Sequence, residues 1–225
     1  MKRQIIEVIE IFVEGLMHNT LAHDYKHVDR VRNLSLYIAK KEKYENLEMV
    51  QAAALLHDVG LRFCRNRRFH GEVGAEFVNK YLLEKNYFTK EQVDEITDAI
   101  KYHNSINKDK GRLLSIIRDA DILDLFGAIG IMRAFISKSS LPEYDTKCVK
   151  GSTWEANNDF FDESFSNGLD SGPFIIDQIN YQISCYDNLT TNTAKSLCKT
   201  YLNFMKLFVI ELELEIKNGK SLAML

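Results

Sequence analysis

The sequence predicts an all-α fold, a compact helical bundle, on three observations. Apolar residues recur at three- and four-residue spacings through most of the 225 positions. Hydrophobic residues make up 45% of the chain and charged residues 27%, the balance of a globular protein. Only two prolines and 11 glycines are present to interrupt regular structure. A chain of this length buries one sizeable core, so residues 1–225 are read as a single domain. Its core is expected over about 20–135, an irregular insertion over about 139–172, and C-terminal helices over about 174–217 that pack back on the bundle.

The first helix is marked by Ile5, Ile6, Ile9, Phe12, Val13 and Leu16. Glu7, Glu10 and Glu14 interrupt its apolar run, so it is amphipathic rather than a signal peptide or membrane span. Val28, Val31, Leu34, Ile38 and Ala39 mark the second. Further helices are expected across Leu47 to Leu56, Val73 to Leu83, Glu91 to Lys101, Leu113 to Leu125 and Ala128 to Ser137. Thr89 with Gln92 three residues on forms a capping-box pattern and fixes one helix start. From Ser139 to Gly172 the period breaks at Pro142, Gly151 and Gly168 among many Asn, Asp and Ser residues, as in an insertion or lid-like loop with a short helix in it. That segment is the place for substrate selectivity or for the subunit contact of a homodimer. Helical pattern resumes at Phe174 to Tyr186 and at Thr193 to Lys217, where Leu197, Tyr201, Phe204, Leu207, Phe208 and Leu212 form one stripe expected to face the bundle. 

A net charge of −3, from 29 basic and 32 acidic residues, provides no global positive field, so polymeric nucleic acid is not an expected partner, although a small nucleotide is not excluded. Cys64, Cys148, Cys185 and Cys198 show no C-x-x-C spacing and no disulfide-scaffold density, which fits reduced thiols in a cytoplasmic protein with no membrane partner.

The chemistry lies in an ordered set: His27, the pair His57-Asp58, His70, His103 and Asp121. Imidazoles and carboxylates suit divalent Zn, Fe, Mn, Ni or Co, with Mg also compatible, and six such ligands can hold two ions side by side. His57 and Asp58 end an apolar helix at Val59-Gly60, where glycine can terminate it. Asp121 sits in Arg118-Asp-Ala-Asp-Ile-Leu-Asp124, an apolar stretch in which a buried carboxylate needs a partner, and a metal ion is the partner most able to offset the cost.

Through H-x-x-R-V at His27 to Val31, L-H-D-V-G at Leu56 to Gly60 and D-A-D at Asp119 to Asp121, the sequence resembles the HD-domain superfamily of metal-dependent phosphohydrolases. The resemblance covers roughly residues 20–135, and Asp119 to Phe135 looks like the small single-domain bacterial branch. His70-Gly-Glu-Val-Gly-Ala75 and Ile100-Lys-Tyr-His103 resemble the extra histidine motifs of dinuclear members. By that resemblance His27, His57 and Asp121 hold one ion, His70 and His103 hold the second, and Asp58 bridges them. The implied function is a phosphohydrolase that cleaves a nucleotide or another small phosphate ester or anhydride with metal-activated water. 

Other residues take roles from their place beside these motifs. His23 and Asp24 match the H-D-x-x-x-H of the bacterial branch. His23 reads as support for a ligand rather than as a ligand, and Asp24 reads either as a helix cap or as a proton donor to the leaving group, a role open equally to Glu72. Arg30, Arg62, Lys101 and Arg118 are candidates for phosphate contact, as are Arg65, Arg67 and Arg68, each against the alternative of a solvated or structural ion pair. His18 has no motif context. In the C-terminal helices Tyr181 and Tyr201 stand where the bacterial branch tends to carry basic residues, so that branch's substrate does not simply transfer. Two other readings keep the same ligands: a diiron HD-type oxygenase, and a noncatalytic metal- or nucleotide-binding regulatory domain.

Overall fold

The structure, a computed structural model, describes residues 2–17, 22–105 and 111–222. His18 lies outside them. Among the described residues the helices are α1 (Lys2–Met17), α2 (Tyr25–Lys41), α3 (Leu47–Leu56), α4 (His70–Lys85), α5 (Lys90–Tyr102), α6 (Arg112–Leu123), α7 (Gly127–Ser137), α8 (Asn158–Ser166), α9 (Ile175–Ser184) and α10 (Asn192–Leu222). No strand occurs among those residues, and the all-α expectation holds. The chain folds into two compact units, residues 1–123 with 190–194 and residues 124–189 with 195–225.

In the first unit α3 is the central element, packed against α1, α2, α5 and α6. Every residue from Met49 to Leu56 except Gln51 is buried. A helix apolar on all sides belongs in a core, and the small Ala52, Ala53 and Ala54 let neighbouring backbones come close. Local signals set the helix starts. The Asp24 carboxylate accepts from the His27 backbone N–H at 3.1 Å to cap α2, the Asn46 side chain caps α3, and Thr89 with Gln92 forms the expected capping box on α5. Helix α4 begins at His70, three residues before the apolar pattern alone suggests, after a short 3-10 turn at Arg67–Phe69.

The three aspartates around α6 each have a different partner. Asp119, fully buried, accepts hydrogen bonds from the backbone N–H groups and hydroxyls of both Thr190 and Thr191, at 2.7 to 3.2 Å, which pins residues 190–194 to α6. Burial pushes the Asp119 carboxyl above its ordinary range despite those donors. Asp124, in the second unit, pairs with the buried Arg133 guanidinium at 2.9 Å. Asp121 alone turns toward histidines.

In the second unit α7 and α8 pack against α9, and the Asp177 carboxylate of α9 ties down the irregular segment. It accepts from the Thr153 N–H and hydroxyl and from the Phe174 N–H. Gly151 has φ of +82°, and a Cβ there would lie 2.5 Å from the Asp177 carboxylate, so glycine is required on both counts. The expected short helix within 139–172 is α8. Tyr181 stands edge-on to Phe161 and Phe165 of α8. The expected stripe on α10 needs correction. Its deeply buried face in this unit is Cys198, Met205 and Val209, whereas Tyr201, Phe204 and Leu207 are exposed. Reading helix faces by residue bulk favoured the large side chains, but the tight side of the helix takes small or flexible ones.

Candidate metal centre

Five elements of the first unit converge on the Asp58 carboxylate. His27 lies on α2, His57 at the C-terminal end of α3, His70 at the start of α4, His103 just past α5, and Asp121 on α6. The two oxygens of Asp58 face different sets. Its Oδ2 is 3.4 Å from His27 Nε2 and 3.5 Å from His57 Nε2, and the same two nitrogens lie 3.4 Å and 3.9 Å from Asp121 Oδ1. Its Oδ1 is 3.1 Å from His70 Nε2 and 3.6 Å from His103 Nε2, which are themselves 2.9 Å apart. All of these groups are buried or nearly so except Asp121, whose side chain is 27% exposed and opens the cluster to solvent.

Main-chain carbonyls aim three of the rings. Nδ1 of His57 donates to the Ala54 carbonyl at 2.8 Å, that of His103 to the Ile100 carbonyl at 2.7 Å, and that of His70 to the Arg67 carbonyl at 2.6 Å. Each bond spans three residues and occurs at a helix end or 3-10 turn, where carbonyls are left over from the helical ladder. With the proton held on Nδ1, the neutral ring directs a lone pair from Nε2 into the cluster.

That arrangement fits a divalent cation. The buried Nε2 of His57 has no hydrogen-bond partner, a costly condition that a metal bond relieves. His70 and His103 direct Nε2 atoms at each other across 2.9 Å, and two lone pairs at that distance repel unless a proton or a cation lies between them. Groups whose donor atoms lie within 4.8 Å of one another and could hold an ion recur around the same residues: His27, His57 and Asp121; His57, Asp58 and His103; and His23, His27 and Asp58. Distances of 3.1 to 3.9 Å between prospective donor atoms match the spacing of ligands that share one ion at about 2.0 to 2.2 Å each.

The electrostatics favour the binding forms of His57, Asp58 and Asp121, and the protonated form of His70. Burial pushes His57 down to about 4, against the pull of Asp58 and Asp121. For Asp58, burial acts upward, but His57, His23 and the hydrogen bonds of His103 and His23 outweigh it and hold the carboxyl well below its ordinary range. Asp121 is likewise lowered, His57 and His27 overcoming its desolvation. His70 is raised, because its bond to Asp58 exceeds the cost of burial.

The remaining candidates divide by position. His23 Nδ1 donates to Asp58 Oδ2 at 2.6 Å, so it supports the shared carboxylate from the solvent side. Asp24 is committed to capping α2. Arg30, one turn after His27 on α2, is half-buried, and Arg62 is exposed at the end of the 3-10 turn that follows Asp58. Arg118 is buried and donates to the Tyr102 carbonyl at 2.8 Å, a structural partner. Glu72 and Lys101 line a surface groove between α4 and α5 with Glu76, Lys80, Thr97 and Asp98, and no member of the His and Asp cluster lines it. The reason is helical geometry: Glu72 is two residues from His70, and Lys101 is two residues from His103, and such pairs do not share a face.

Gly60 was legible only as a helix terminator. A Cβ on it would meet the His70 carbonyl oxygen at 2.0 Å and the Gly74 nitrogen at 2.6 Å, so its bare backbone is what lets the start of α4 reach Asp58. The pairing of Gly60 with Gly71 and Gly74 in His70-Gly-Glu-Val-Gly74 was the available sequence signal.

Residues 24–125, which contain six of the seven clustered side chains, match the HD domain family model. Over 223 residues, covering 93% of each protein, the chain is 30% identical to the uncharacterized protein YpgQ of Bacillus subtilis. The chain belongs to the HD-domain family. Solved HD-type neighbours share its fold: the crystal structure of B. subtilis YpgQ in complex with ADP superposes with a TM-score of 0.66 at 22% identity, covering 95% of this chain and 96% of that one. An HD-superfamily hydrolase from Bacillus thuringiensis superposes at 0.65 and 24% identity, covering 94% and 96%. Two properties of this HD protein follow from its own coordinates. Its donor set can hold a divalent metal, and no helix among the described residues is long and apolar enough to cross a membrane.

Proposed function

We propose that this HD protein is a metal-dependent phosphohydrolase that cleaves a nucleotide or another small phosphate ester or anhydride. One observation carries the reading: Asp58 offers one carboxylate oxygen to His27 and His57, opposite Asp121, and the other to His70 and His103. On this reading two divalent transition metal ions are held, the first by His27, His57 and Asp121, the second by His70 and His103, with Asp58 shared. Bound ions there would supply Lewis acidity toward phosphoryl oxygens and acidify water near neutral pH. 

The chain's own groups do the rest. His57 is buried and stays a neutral donor beside the buried His27, the carbonyls of Ala54, Arg67 and Ile100 fix ring orientation, and the exposed edge of Asp121 leaves a way in for a small substrate. His23 holds the Asp58 carboxylate in place from a position that is 25% exposed. Arg30 and Arg62, on the segments that carry His27 and Asp58, are assigned to phosphate contact. The ADP in the crystal structure of B. subtilis YpgQ supports a nucleotide-like ligand for this chain as well.

The test is metal analysis of protein purified without chelator, then a panel of nucleoside di- and triphosphates, monoesters and diesters with Mn, Co, Ni, Zn, Fe or Mg added. Release of phosphate, pyrophosphate or nucleoside is expected, with a fall of about a thousandfold or more for Asp58→Asn and unchanged helical circular dichroism. Metal-replete protein that turns over no member of the panel overturns the reading. His23→Gln is expected to lower kcat with metal content unchanged.

A further inference from the structure

An exposed side chain, Asn104, joins the two helix ends that present His70 and His103. It follows His103 directly, and its amide nitrogen donates to the Arg68 carbonyl at 3.3 Å and lies 3.2 Å from His70 Nδ1. Its amide oxygen is turned toward Gly71, where an added Cβ would lie 2.8 Å from that oxygen, 2.7 Å from the Lys101 carbonyl oxygen and 3.0 Å from the Ile100 carbonyl oxygen. The first turn of α4 thus rests on the last turn of α5, and a Cβ at position 71 would press the two apart. The bare Gly71 backbone permits the approach, and Asn104 bridges it.

The bridge bears on ligand geometry. The Arg67 carbonyl aims His70 from the 3-10 turn before α4, and the Ile100 carbonyl aims His103 from the last turn of α5. Each of these bonds spans three residues, so it orients one ring within its own segment and leaves the distance between the rings, 33 residues apart in sequence, to whatever joins the segments. The Arg67–Phe69 turn buries none of its residues, so apolar packing does little to hold it. The Asn104 bond ties that turn to the residue beside His103. A ligand pair is sensitive to such support. Metal–ligand distances tolerate only about 0.2 Å, and loss of a group that orients a ligand typically costs about 10- to 100-fold in metal affinity.

We propose that Asn104 is a positioning residue for the second ligand pair: it holds the turn before α4 against the end of α5, so that His70 and His103 stay close enough to share one ion. The assignment rests on the two-ion reading given above. The experiment titrates the metal-depleted full chain with Zn or Mn by calorimetry against a competing chelator, for wild type, Asn104→Ala, Asn104→Leu and Ser105→Ala. Asn104→Ala, at an exposed position, is expected to keep the helical circular dichroism and one ion at wild-type affinity, while the dissociation constant of the other rises about tenfold or more. Asn104→Leu has similar bulk without the amide and is expected to show the same loss. Ser105→Ala is the control for the helix end as such: it removes the hydroxyl that donates to the Tyr102 carbonyl at 3.0 Å, and both ions are expected to bind as in wild type. Amide hydrogen exchange in chelator tests the clamp with no metal present, and faster exchange from Phe69 to Gly74 is expected in Asn104→Ala. Unchanged exchange there, two ions bound by Asn104→Ala as tightly as by wild type, or an equal loss in Ser105→Ala overturns the assignment and leaves the two-ion reading standing. Uptake of a single ion by wild type overturns the two-ion reading, and this role for Asn104 with it.

Discussion

Gly60→Ala tests the geometry of the centre more sharply than removal of a ligand does. A methyl on Gly60 would sit 2.0 Å from the His70 carbonyl oxygen, 2.6 Å from the Gly74 nitrogen and 2.9 Å from the Gly74 Cα, all main-chain atoms. Ordinary contact needs the closest of these to open by roughly 1 Å, and no side-chain rotation can supply that. The first turn of α4 must therefore move away from the Val59–Arg62 turn, taking His70 with it. Overpacking of this kind costs about 1–3 kcal/mol, which for a chain of this size lowers Tm by roughly 2 to 10 °C. Metal–ligand distances tolerate only about 0.2 Å, so His70 leaves the second ligand set while His27, His57 and Asp121, on other helices, stay. Equilibrium dialysis followed by elemental analysis is expected to show about two ions per chain falling to about one, with a scanning-calorimetry shift in the stated range. Gly74→Ala is the control, since its Cβ comes no nearer than 3.2 Å to Gly60. Two tightly held ions and an unshifted melting curve in Gly60→Ala would refute the packing argument.

Two more perturbations follow from the first unit. Asp119→Ala removes the acceptor of two backbone N–H groups and two hydroxyls at a part-buried site; urea unfolding is expected to show a loss of about 1–3 kcal/mol, and a loss under about 0.5 kcal/mol would count against Asp119 as the anchor of residues 190–194. In metal-free protein His57 is lowered from 6.5 to about 4, so between those values the unfolded chain binds a proton that the folded chain refuses. The His57 contribution is therefore expected to be full above about pH 6.5 and to fall by on the order of 3 kcal/mol as pH drops toward 4, while the raised His70 gains stability as it protonates and offsets part of that loss. The lowered Asp58 carboxyl adds a further loss once pH falls below the ordinary carboxylate range. Unfolding of His70→Gln in chelator across that window checks it, and a flat profile in that variant would show that His57 is not held neutral.

Local signals were the legible part of this chain. The span of α3, the Thr89 capping box and the short helix in the irregular segment all rest on neighbouring residues, and each is where its pattern put it. Ligand types were legible too, because few residues besides His and Asp bind transition metals and six of them occur at domain-sized separations. What the sequence hid was direction. Glu72 and Lys101 sit two residues from prospective ligands yet line another groove. Arg118, three residues before Asp121, is taken up by the Tyr102 carbonyl. Asp119 and Asp124 looked as much in need of a metal as Asp121, but threonines and an arginine satisfy them. On α10 the large side chains suggested one buried face, and the smaller ones occupy it.

The carbonyls of Ala54, Arg67 and Ile100 carry a kinetic consequence. Because main-chain carbonyls orient the rings of His57, His70 and His103 through Nδ1, substitution at positions 54, 67 or 100 leaves the orienting atom in place. Release of an ion then requires a helix end to open, since only fraying of that last turn frees the ring. Residence time at the centre is thereby tied to amide exchange at the ends of α3 and α5, so that a substitution remote from every ligand can shorten it by loosening a terminal turn.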